Sequence, residues 1–112
     1  MRIKALEDWE YVPEFGGNRA EEPGAQTVYK FRVLSGKDDL ALRKEGKEFF
    51  PDSLESVIVS VKNPPILVDK AGKEHSTNVL ELGSKAELKG LYMELIVEYG
   101  NHSILGDAAG KP

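Results

Sequence analysis

His75 and His102 are the chain's two imidazoles, and neither has a second ligand at metal spacing. No H-x-x-x-H, H-E-x-x-H or H-x-E pair occurs, and a metal site needs several donors converging in one geometry. Both are expected as surface or loop histidines. No serine sits in a G-x-S-x-G turn. A Ser-His-Asp triad forms in space rather than along the chain, so that chemistry would have to be assembled around one of the two histidines. Acids are plentiful: Glu7, Asp8, Glu10, Glu14, Glu21 and Glu22 come early, and Asp38-Asp39 follow. Paired carboxylates do acid–base work when burial drives their pKa values apart. These lie in polar stretches, so solvated acids are expected, with Asp38-Asp39 favoured by a helix dipole. Gly72-Lys73-Glu74 lacks the first glycine and the hydroxyl residue of a phosphate loop. No catalytic, metal or cofactor-binding residue is therefore assigned.

The composition points the same way. The absence of cysteine excludes disulfides, thiolate zinc sites, Fe–S clusters and cysteine nucleophiles. Fifteen basic and nineteen acidic residues give a net charge of −4, with no basic cluster beyond Arg43-Lys44. That is not the electrostatic footprint of a nucleic-acid binder. No apolar run is long enough to span a membrane. Residues 1–8 have no apolar core, so no signal peptide is expected. At 112 residues the chain holds one domain.

The elements follow from pattern. Residues 7–26 hold Pro13, Gly16-Gly17, Pro23 and Gly24 together with Trp9, Tyr11 and Phe15. Disordered linkers are poor in aromatics. This reads as an ordered arm, docked either on a partner or on the domain's own core. Thr27 to Leu34 alternates Tyr29, Phe31 and Val33 with Lys30 and Arg32, a strand with one wet face. A short polar helix is predicted at about 37–45. Pro51-Asp52-Ser53 signals a helix start, yet Val57-Ile58-Val59-Ser60-Val61 alternates as a β-branched strand. Both readings of 54–62 stay open. Ile66-Leu67-Val68, a turn at Asp69 to Gly72, and Lys73-Glu74-His75 form a hairpin. His75 to Asn78 offer caps for a short helix at 79–82. The strongest helix runs from Ser84, with Glu87 completing a capping box, to Tyr99. Leu88, Leu91, Leu95 and Tyr99 make its apolar stripe, and Glu87, Glu94 and Glu98 lie off it. Gly90 inside this helix implies a close contact. The stripe is either core or a face shared with another chain. The expected fold is α+β: a small antiparallel sheet around 27–34 and 66–75, packed by the C-terminal amphipathic helix and shorter helices. The expected organisation is an N-terminal strand and arm over 1–26, one globular domain over 27–105, and a tail over 106–112.

Three features resemble the tail assembly chaperones and related small tail-morphogenesis proteins of bacteriophages and prophages. The first is the segment with Trp9, Tyr11, Pro13 and Glu21-Glu22-Pro23, leading to the 27–34 strand and a Ser35-started polar helix. The second is SLESVIVSVKNPPILVDKAGKE, similar to that family's passage of apolar segment, Val-x-Asn, apolar segment and Asp-x-x-Gly. The third is GLYMELIVEYGNHSIL, similar to its terminal helix. The family's basic ending is reduced here to Lys111.

The resemblance implies a non-enzymatic protein of the bacterial host cytoplasm. It would bind tail proteins reversibly, namely the tape measure and the tail tube, or associate with itself. It implies no cofactor, nucleic acid or membrane. On this reading Trp9, Tyr11 and Phe15 anchor the arm on a partner, and Leu88, Leu91 and Leu95 line a shared helix face. The alternative within the same resemblance is a structural subunit of the particle: tail tube, completion or connector.

Overall fold

The computed structural model describes residues 1–3, 5, 7–33 and 54–102. The elements predicted at 37–45 and in the 106–112 tail lie outside them. The fold is α+β. Strands β1 (Trp9–Tyr11), β2 (Val28–Phe31) and β3 (Ile58–Lys62) form an antiparallel sheet in that spatial order. Strands β4 (Ile66–Val68) and β5 (Glu74–Ser76) form a separate antiparallel pair.

Strand β2 is central because its alternation supplies one buried face. Tyr29 and Phe31 are buried while Lys30 is exposed. In the β1–β2 register Trp9 faces Phe31, Tyr11 faces Tyr29, and Glu10 faces Lys30. The first two pairs put aromatics together; the third sets opposite charges across the wet face. Both edges of β2 are thus occupied, by β1 and β3. This corrects the expectation that 66–75 shares a sheet with 27–34: the hairpin is a sheet of its own. Strand β1, from the N-terminal 26 residues, is part of the main sheet.

Both signals in 54–62 are obeyed in succession. Leu54–Val57 is one helical turn, α1, burying Leu54 and Val57. The β-branched run then pairs with β2 through a bulge between Lys30 and Phe31. Arg32 holds the junction, donating its backbone N–H to the Val57 carbonyl at 2.8 Å and its Nε to the Ser56 carbonyl at 2.7 Å.

The C-terminal helix starts later than Ser84. The capping box belongs to the preceding 3-10 turn, Val79–Gly83, where Asn78 and Glu81 satisfy each other's backbone N–H groups at 3.1 Å. Ser84 closes that turn, donating its N–H to the Glu81 carbonyl. A second 3-10 turn, Ala86–Leu88, leads into α2 (Lys89–Gly100). The predicted stripe is the core-facing side: Leu88, Leu91, Leu95 and Tyr99 join Tyr29, Phe31, Leu54, Val57 and Leu82 in one cluster. Among the described residues no helix is long and apolar enough to cross a membrane.

Candidate functional site

Glu94 and Glu98, four residues apart and therefore on one side of α2, are half-buried along the flank of the Leu91–Leu95 stripe. The N-terminal arm docks on them. Tyr11 Oη donates to Glu94 Oε2 at 2.6 Å. The backbone N–H of Glu14 reaches the same oxygen at 2.8 Å, and that of Phe15 reaches Oε1 at 3.0 Å. Trp9 Nε1 donates to Glu98 Oε2 at 3.0 Å. Four donors from one seven-residue segment thus end on two carboxylates. Burial, helped by the Glu94 hydrogen bond and charge, pushes the Tyr11 phenol up to about 12. Burial alone raises Tyr29.

The loop after β1 is closed by side chains that imitate backbone. Asn18 is buried; its Nδ2 donates to the Pro13 and Thr27 carbonyls, and its Oδ1 accepts from the Thr27 N–H at 2.7 Å. Gly16 and Gly17 take φ of +66° and +73° in this bend, a region that suits glycine. Asn63, itself at φ +51°, donates from Nδ2 to the Gly24 and Gln26 carbonyls and so ties the loop to the end of β3. Arg19 donates to the Val12 carbonyl and pairs with Glu14 at 2.6 Å on the surface.

These ties leave a cleft of about 590 Å³ between the arm, the Asn63–Leu67 segment and the start of α2. Pro13, Phe15, Pro64, Pro65, Ile66, Leu67, Leu88 and Leu91 supply its apolar lining. Glu21 and Glu87 are its charged lining residues. Phe15 forms a wall because Gly90 lets it: a Cβ on Gly90 would stand 2.6 Å from Phe15 Cε1. This is the close contact that Gly90 implied.

The sequence-predicted residues divide. Phe15 is 40% exposed and lines the cleft. Trp9 is half-buried, stacked with Tyr99 and His102 at centroid distances of 5.5 and 3.9 Å and tilted against Phe31 at 5.2 Å. Tyr11 is half-buried against α2. Trp9 and Tyr11 therefore anchor the arm on its own domain. Leu91 and Leu95, at 2% and 0% exposure, are in the core of this chain, the first of the two readings of the stripe. Leu88 is also core, and it and Leu91 line the cleft. The structure adds Glu94, Glu98, Asn18 and Asn63. A sequence signal existed for the first two: paired acids at i, i+4 on a helix, with aromatic donors elsewhere.

The histidines are engaged separately. His75 Nε2 lies 2.9 Å from Glu81 Oε2, and that hydrogen bond, followed by the Asn78 backbone N–H, holds the Glu81 carboxyl below its usual range. His102 stacks on Trp9. Among the described residues no group of three His, Cys, Asp or Glu is placed to hold a metal ion. Comparison with protein-family models, curated proteins and solved structures finds no match to this chain.

Proposed function

We propose that this chain is a non-enzymatic assembly chaperone of phage tail morphogenesis that binds tail proteins reversibly through the cleft between its arm and its hairpin. The family reading rests on the three sequence features described above. The observation that carries the binding reading is the cleft itself, an open, apolar-lined concavity with Phe15 exposed at 40% on its wall. Exposed apolar surface gathered in a concavity favours a partner's apolar side chains over water. Side chains and backbone amides hold the cleft walls in place, so little ordering is required on binding.

The test is affinity capture of the tagged full chain from cells carrying its native gene neighbourhood, with Phe15→Asp as comparison. Recovery of a long, helix-rich protein together with tail-tube protein, lost in Phe15→Asp at unchanged thermal stability, is the expected result. Equal recovery by both chains would remove the cleft from the function. Many copies of the chain in purified particles would favour the structural-subunit reading.

A further inference from the structure

The β4–β5 ladder determines which way the backbone of β4 points. Asp69 donates its N–H to the Lys73 carbonyl at 3.0 Å, and Thr77 donates to the Pro65 carbonyl at 3.0 Å. In an antiparallel pair such hydrogen-bonded positions alternate with non-bonded ones. Pro65, Leu67 and Asp69 therefore turn their polar backbone groups towards β5. Ile66 and Val68 turn theirs away, and no described residue bonds to them. Their side chains are 57% and 62% exposed, and both stand on the face opposite half-buried Leu67. Strand β4 is thus an open edge with a β-branched exposed face, the feature that templates pairing with another strand.

We propose that this edge pairs with β4 of a second copy, antiparallel about a two-fold axis at Leu67, joining the two hairpins into a four-stranded sheet. The register is self-complementary. With Leu67 opposite its own image, Ile66 faces Val68 of the second copy and Val68 faces Ile66. These are the positions whose N–H and C=O groups point outward, so four new N–H···O=C bonds form, and no position that already bonds β5 is used. Both Ile–Val pairs stack on the exposed face, where β-branched neighbours favour each other. Two three-residue strands make a small interface, so the association is weak and concentration-dependent.

The experiment is sedimentation velocity on the full chain from about 10 µM to about 1 mM, a range suited to weak self-association. The expected result is a rise towards twice the monomer mass with concentration. Val68→Pro removes an N–H that faces away from β5, a position an edge strand tolerates for proline, and should stay monomeric with unchanged circular dichroism. The chain has no cysteine, so the paired variant Ile66→Cys with Val68→Cys reads the register directly. Cross-strand Cα atoms at a hydrogen-bonded pair stand about 5.5 Å apart, within disulfide reach. Oxidation should give a covalent dimer linked 66 to 68 between chains, while each single variant cross-links at least tenfold less. A wild-type chain that stays monomeric at about 1 mM, or a Val68→Pro chain that dimerises like wild type, overturns the proposal. Dimers cross-linked as strongly by the single variants would place the axis elsewhere and overturn the register.

Discussion

Replacing Glu94 with alanine tests the central structural claim, that helix carboxylates hold the arm in place. Glu94 accepts from Tyr11 Oη at 2.6 Å and from two backbone amides at 2.8 and 3.0 Å. A hydrogen bond to a charged group contributes about 1.5–3 kcal/mol when its partner is left stranded. Glu14 and Phe15 are exposed, so water re-satisfies their amides in the variant. Tyr11 is half-buried and recovers less. The sum is about 2 kcal/mol, with the Tyr11 bond contributing most. For a domain this size that lowers the melting temperature by about 8 °C or more. Glu94→Gln should fall between, near 1 kcal/mol. One amide oxygen can still serve Tyr11, but the amide nitrogen then meets the Phe15 N–H, donor against donor. The assay is urea unfolding followed through Trp9, the only tryptophan, with hydrogen exchange on residues 12–17. A loss under about 0.5 kcal/mol, or an equal loss without faster exchange in 12–17, would mean that Glu94 does not hold the arm.

Three further outcomes follow from the same geometry. Trp9→Ala removes the ring contacts with Phe31, Tyr99 and His102 and should destabilise by about 3 kcal/mol in a denaturant melt; an unchanged fold with lost partner capture would return Trp9 to the partner. Gly90→Ala gains about 1 kcal/mol of helix propensity but displaces the Phe15 ring. Its melting temperature should stay near wild type while Phe15 ring resonances shift and partner capture weakens; unmoved resonances would show that the ring does not rest there. Tyr11, held at about 12 in the fold against 10.0 unfolded, keeps its proton where the unfolded chain releases it. Its contribution is whole below pH 10 and is lost as pH rises towards 12. Tyr11→Phe should therefore lose stability less steeply across that range. Tyr29 keeps part of the slope, because burial raises it as well. An unchanged slope would mean that Tyr11 does not titrate with unfolding.

What was legible in the sequence was what local chemistry dictates. Tyr29 and Phe31 alternate, and the strand is there with those residues inside. The stripe of Leu88, Leu91, Leu95 and Tyr99 was read residue by residue, and all four are buried, Leu88 in the turn before α2 and the others within it. The Asp69–Gly72 turn and its flanking strands were read to within one residue. The misreadings share one cause, the choice between equivalent partners. Ser84-Glu87 and Asn78-Glu81 are both capping-box patterns, and Asn78 won because Ser84 was already closing the turn before it. Strand β2 had two edges to fill, and nothing local said that β1 and β3 would take them before the hairpin. The arm's aromatics were open to two destinations. Carboxylates 80 to 90 residues away along the chain decided for the domain's own helix.

That decision couples the arm to the cleft. Phe15 forms a wall of the cleft, and its backbone N–H is one of the three groups on Glu94. Two residues earlier Pro13 lines the same cleft, and its carbonyl is held by buried Asn18. Asn63 fastens the other end of the loop. The shape of the concavity therefore depends on ties to α2 that lie outside its lining as well as on the residues a partner would touch. The consequence separates Glu94 from Phe15. Glu94 is not among the lining residues, so its loss should weaken partner capture only through a loosened arm. Glu94→Ala should then regain capture when a stabilising osmolyte favours the compact state, whereas Phe15→Asp should not. Equal rescue of both would mean that Phe15 shapes the cleft without contacting what fills it.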